Sequence, residues 1–210
     1  ELRVKMLDRE PPFAEVELAL TSHFHRDHFQ VEAAAEFLRA HEETKFAAAP
    51  QVVDDLKASL GADAASARVT ALLPDARQTL AAQHGAISVE LLRLPHSGGA
   101  RTASVQNLGH VIELGGARIL HVGDADGDDA ALAAYELPKR AIDVALVPYW
   151  WLGDAAGVAR AKKVTGAKHL VAVHVPPGEV AAVKAALAAL DPAILLFERA
   201  GESCTLSLAR

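Results

Sequence analysis

The chain has 210 residues, 51% hydrophobic and 23% charged, the composition of an ordinary folded domain and not of a disordered chain. A net charge of −6 argues against a broad basic surface for nucleic acid. The single cysteine, Cys204, excludes an internal disulfide and a thiolate zinc site. No apolar run reaches the roughly 18 residues of a membrane span, and the expectation is a single domain over residues 1–210 in the cytoplasm.

Residues 1–15 read as polar and turn-rich, with Pro11 and Pro12 unable to donate to a strand ladder. Residues 16–21 (VELALT) predict a short buried strand, ending where the chain becomes Ser22-His23-Phe24-His25-Arg26-Asp27-His28. Apolar residues recur at helical spacing over residues 30–41. A strand is predicted over 44–49, and Pro50 opens a helix over 51–60. The middle turns to β: strands at 77–82 and 87–94 flank His84-Gly85, and strands at 105–114 and 117–122 flank the hairpin signal Gly115-Gly116. Beyond it helix and strand alternate, with helices at 128–135, 155–164 and 179–190 and strands at 142–148, 169–174, 193–198 and 204–208. Cys204, placed in the last strand, is expected to be buried. Hairpins in the middle and αβ units at both ends predict an α+β fold layered α, β, β, α.

The chemistry is concentrated in His23-x-His25-x-Asp27-His28. Residues two apart in an extended segment point the same way, so His23 and His25 can converge on one ion. Asp27 and His28, where the chain turns, can reach a second. Neutral imidazole and carboxylate suit Zn²⁺ and similar divalent ions. The competing explanation is a solvated polar loop, which rarely packs three histidines and an aspartate into six residues behind a buried strand. Further ligands are sought at other strand ends: His96 after residues 87–94, Asp124 after Gly123, and His174 after residues 169–173. Each alone is weak, since a lone strand-end histidine is more often structural.

In this order His23-x-His25-x-Asp27-His28, His96, Gly123-Asp124 and His174 resemble the metal-binding set of the metallo-β-lactamase superfamily. The wording of Asn107-Leu108-Gly109-His110, of residues 121–126 (HVGDAD) and of Val147-Pro148-Tyr149-Trp150 is similar to a branch of zinc-dependent hydrolases. That branch is related to the ascorbate-phosphate lactonase and N-acyl phosphatidylethanolamine phospholipase group. The resemblance implies a four-layer αββα sandwich. It implies two divalent ions, zinc first and iron or manganese as alternatives. One would sit on His23, His25 and His96, the second on Asp27, His28 and His174, with Asp124 and a hydroxide bridging them. Asp27 would also orient the nucleophile, and the substrate would be a small molecule with an ester, lactone, thioester or amide carbonyl.

Two features depart from the family. Only 22 residues precede His23, where two or three strands are usual, so an N-terminal extension of roughly 25–45 residues is expected. The alternative is that a second copy covers the exposed edge as a homodimer. An aspartate also stands at 124 where antibiotic-hydrolysing members carry cysteine, which points to other carbonyl or phosphodiester chemistry. The rival functions are a phosphodiesterase or nuclease of the same fold and a di-iron redox protein, with a non-catalytic metal-binding scaffold as a further option.

His110 and His121 face each other across the predicted hairpin. His110 is read as a candidate catalytic residue, through proton transfer or support of the ligands, against the alternative of a hydrogen-bonded sheet histidine. Asp126 is expected to cap the helix near Asp128. Tyr149, Trp150 and Trp151 are read either as a wall of the substrate pocket or as core. Ser97 is not a nucleophile, because a metal-bound hydroxide makes one unnecessary. His41 and His84 are assigned no role.

Overall fold

The structure, a computed structural model, describes residues 2–208. Strands β1 (Leu18–Leu20), β2 (Lys45–Ala48) and β3 (Val69–Ala71) form a parallel three-stranded sheet in that order. The second sheet holds β4 (Thr79–His84), β5 (Ile87–Arg93), β6 (Leu108–Leu114), β7 (Ala117–His121), β8 (Val144–Pro148) and β9 (His169–Val173), in sequence order. Its first four strands are antiparallel, and β7, β8 and β9 are parallel.

The strand period explains the layering. On β5 the inward residues Val89 and Leu91 meet Leu18, Leu20, Leu72 and Leu73 between the sheets. The outward residue Leu92 joins Leu120, Leu132, Ala161 and Leu187 beneath the helices on the other side. Those helices are α4 (Asp129–Ala133), α5 (Ala155–Thr165) and α6 (Val180–Leu190). Helices α2 (Val31–Ala40) and α3 (Pro50–Leu60) cover the three-stranded sheet through Leu38, Phe37, Val53 and Leu56. The α, β, β, α layering expected from the sequence is the one found.

Element ends follow local chemistry. Pro50 occupies the first turn of α3, where its missing N–H costs nothing. In α5 the Asp154 carboxylate accepts from the Gly157 amide at 2.7 Å, and Gly166 ends the helix at φ 64°.

Several expectations need correcting. Residues Leu2–Leu7 form helix α1, not a turn-rich lead, and Met6 packs against the α2–α3 core while Arg3 pairs with Glu36. Strand β3 was not anticipated; it is three residues long with one buried side chain, too little pattern to read. The turn before β5 falls one residue late, at Gly85-Ala86. The strand expected over 193–198 shrinks to one bridge, Leu195 beside Val171. Beyond it the Glu202 carboxylate accepts from the Glu198 and Arg199 amides and folds the chain into a turn. Residues 204–208 form no strand, and Cys204 is therefore exposed, not buried. Helix α4 is capped by Asp128, whose carboxylate accepts from the Ala130 amide at 2.8 Å; Asp126 is exposed and caps nothing. Among the described residues no helix is long and apolar enough to cross a membrane.

Candidate metal centre

The topology gathers the strand ends. Strand β6 is antiparallel to both β5 and β7, so β5 and β7 point the same way, and β8 and β9 follow β7. His96, Asp124 and His174 come just after β5, β7 and β9 and so emerge on one rim. The loop after β1 reaches the same rim, because the Leu108 amide at the start of β6 donates to the Ser22 carbonyl at 2.8 Å.

Three imidazoles converge there. His23 Nε2 lies 3.1 Å from His25 Nδ1, and His96 Nε2 lies 3.3 Å from the former and 3.1 Å from the latter. Ligands about 2.0–2.1 Å from a tetrahedral ion are separated from one another by about 3.3 Å. Beside this trio, His174 Nε2 is 3.1 Å from Asp27 Oδ2 and 3.1 Å from Asp124 Oδ2, and His28 Nε2 is 3.2 Å from Asp124 Oδ1. Asp124 Oδ2 also stands 3.8 Å from His96 Nε2 and 4.0 Å from His23 Nε2. Its carboxylate therefore lies between the two groups.

The donor set fits divalent ions. His23 is fully buried, and its pKa is pushed down to about 3, chiefly by burial and then by His28 and the other neighbouring imidazoles. His25 is lowered for the same reasons, burial first and then His96. Neutral rings each carry a free lone pair, and three ring nitrogens converging on one point form a donor set suited to a divalent cation. Asp124 Oδ1 is buried, with His28 Nε2 at 3.2 Å and, among the described residues, no conventional hydrogen bond made to it. Burial alone would raise the Asp124 pKa, yet His28, His174 and His23 hold it below the usual carboxylate range. Burial likewise pulls His28 down, and Asp124 and Asp27 outweigh it, leaving its pKa raised.

The surroundings hold these groups in place. The Ser22 hydroxyl sits 3.1 Å from His23 Nδ1 and 3.3 Å from His28 Nδ1, so one oxygen touches a histidine of each group. The sequence reading passed over Ser22; the available signal was its position directly before His23. The Ser97 amide donates to the Asp124 carbonyl at 2.8 Å, which makes Ser97 a backbone link between the loops that carry His96 and Asp124. His174 has a left-handed backbone at φ 63°, a conformation costing a non-glycine residue about 1 kcal/mol or more. Trp150 meets its ring edge-on at 5.0 Å.

A cavity of about 470 Å³ opens over the centre, lined by Asp27, His28, His121, Asp124 and His174 and walled by Val173, Val175, Pro176 and Pro177. His121 reaches it; His110 does not. His110 is 3% exposed, pairs with His121 across β6 and β7, and stacks on that ring at 6.3 Å. Its Nε2 has no hydrogen-bond partner among the described residues, and burial, helped by His121, pushes its pKa down to about 3. Trp151 is core, donating its indole N–H to the Ala125 carbonyl at 3.0 Å, and Tyr149 packs on Trp150; none of the three aromatics lines the cavity. His41 is buried against Phe37 and hydrogen-bonded to the Met6 carbonyl, far from this rim.

The comparisons with known proteins agree with the fold. The family model described as "Beta-lactamase superfamily domain" matches residues 3–197, and the chain belongs to that family. No curated protein matches it. Among solved structures it is similar to the metallo-β-lactamase fold protein YhfI of Bacillus subtilis, at 14% identity and TM-score 0.58, covering 89% of this chain and 77% of that one. It is also similar to yeast PDE1, at 12% identity and TM-score 0.60, covering 88% and 67%. Zn²⁺-bound PqqB of Methylobacterium extorquens aligns at 17% identity and TM-score 0.54, covering 91% and 73%. Identities this low carry the fold, which is the metallo-β-lactamase sandwich.

Proposed function

We propose that the protein is a dinuclear metal-dependent hydrolase acting on an ester, lactone, thioester or amide carbonyl. The observation that carries this reading is the pair of donor groups, one of three imidazoles and one of two imidazoles and a carboxylate, joined by Asp124. His23, His25 and His96 would hold one divalent ion, and Asp27, His28 and His174 the other. Two such ions acidify water and polarise the attacked carbonyl.

The chain's own residues supply the rest. Asp27 is 63% exposed at its side chain and stands at the cavity mouth, where its carboxylate can orient a water and take its proton. His121 lines the cavity next to Asp124, within reach of a leaving group. His110, packed behind His121, is suited to fixing that ring and not to touching substrate. The apolar wall of Val173, Val175, Pro176 and Pro177 suits an uncharged substrate, and among the described residues no Lys or Arg lines the cavity to grip a phosphodiester. That contrast favours a carbonyl centre over the phosphodiesterase reading.

The test is hydrolysis of a panel of lactones, esters, thioesters, β-lactams and phosphodiesters by zinc-loaded and chelator-treated protein. The expected result is metal-dependent turnover of a carbonyl substrate. Metal-dependent turnover confined to phosphodiesters, or no metal-dependent turnover, would overturn the reading.

A further inference from the structure

Asn107 lies on the segment just before β6 and is 1% exposed. All of its side-chain hydrogen bonds run to the loops that carry ligands. Its Oδ1 accepts from the Asp124 amide at 3.1 Å. Its Nδ2 donates to the Val122 carbonyl at 3.1 Å and, more weakly, to the Leu94 carbonyl at 3.5 Å, two residues before His96. One amide thus ties the end of β5 to the end of β7.

The fit extends to the next residue. Gly123 is left-handed at φ 59°, and a Cβ there would stand 2.2 Å from Asn107 Oδ1 and 2.8 Å from Ser22 Cβ. No side chain fits between these atoms, so the Asn107 amide can reach under the turn that presents Asp124. Ser22, in turn, touches His23 and His28. Removing the Asn107 side chain would strip the acceptor from the Asp124 amide and release the turn.

We propose that Asn107 is a positioning residue of the metal centre, setting the distance at which Asp124 stands between its two donor groups. It touches neither substrate nor ion; it acts through the backbone of Asp124. This inference rests on reading the rim as a metal centre, and its test separates the two. Gln106 provides the control. It sits on the same segment, and its side-chain carbonyl accepts from the Gln51 amide at 3.1 Å, but it touches no ligand loop.

Zinc affinity would be measured by competition with a chromophoric chelator for wild type, Asn107→Ala and Gln106→Ala, with melting of each metal-free protein alongside. The expected result is a loss of roughly tenfold to a hundredfold in zinc affinity for Asn107→Ala, the size seen when outer supports of metal ligands are removed. Gln106→Ala should stay within about twofold of wild type. Equal losses in both variants, tracking their melting temperatures, would mean a merely structural role and overturn the proposal. If Asn107→Ala does not fold, Asn107→Asp keeps the acceptor for the Asp124 amide and loses the two donors; affinity unchanged in that variant overturns the proposal, and a measurable loss supports it. Wild-type protein that binds no zinc would overturn both the metal centre and this inference. Two ions bound with wild-type affinity in Asn107→Ala would overturn this inference alone.

Discussion

At the residue scale the account turns on Asp124, a carboxylate that stands within 4.0 Å of histidines from both donor groups. Replacing a carboxylate by an amide keeps its shape and removes the charge that two cations would share. Asp124→Asn should therefore lower turnover by roughly a hundredfold or more, since even outer supports cost 10–100-fold. Its circular dichroism should match wild type. Ser97→Ala should change turnover little, because Ser97 contributes its backbone amide. Steady-state kinetics on both variants decides; near-native turnover in Asp124→Asn would contradict the shared-ligand role. Ser22→Ala is expected to fall between them, because the hydroxyl fixes one histidine of each group without itself being a ligand. The seven candidate ligands were readable in the sequence because each follows a strand or sits in one dense motif. The work of Asn107 was not, since a single buried asparagine leaves no spacing to recognise, and its three partners lie 13, 15 and 17 residues away.

At the element scale the β6–β7 pair carries a cost that can be measured. His110 is neutral and buried between the sheets, with a pKa of about 3 against about 6.5 in an unfolded chain. Between those values the unfolded chain binds a proton that the folded one refuses, so this residue costs no stability above about pH 6.5 and an increasing amount as pH falls toward 3. His110→Phe should therefore flatten the loss of stability on acidification. Urea midpoints of metal-free protein at pH 7 and pH 5 check this; an equal drop in both proteins would contradict it. The same elements show where sequence reading works. The Gly115-Gly116 hairpin and the helices with clear 3.6 periodicity stand close to their expected bounds. Residues 204–208 looked like a strand by alternation alone, but they pair with no strand. Helix α1 was hidden because its stability comes from packing Met6 against α2 and α3, not from its own pattern.

At the scale of the whole molecule, the sandwich is held by contacts between the two sheets as well as by helices on their outer faces. Leu91 is fully buried in that middle layer. Truncating it should leave a cavity that neighbours from both sheets cannot fill, and Leu91→Ala should cost roughly 2–5 kcal/mol of stability by urea unfolding. The layer order was legible because alternating strands need cover on both faces. The three-stranded sheet was harder, since its strands are three or four residues long and are ordered by parallel pairing across helices. What the fold achieves is to aim β5, β7 and β9 at one rim and bring the loop after β1 beside them, so that His23 and His174, from opposite ends of the fold's sequence, stand beside one carboxylate. That claim is tested most directly by calorimetric titration of zinc into metal-stripped protein. The account predicts two equivalents per chain for wild type and a weakened or lost equivalent in Asp124→Asn. One equivalent or none in the wild-type protein would contradict it.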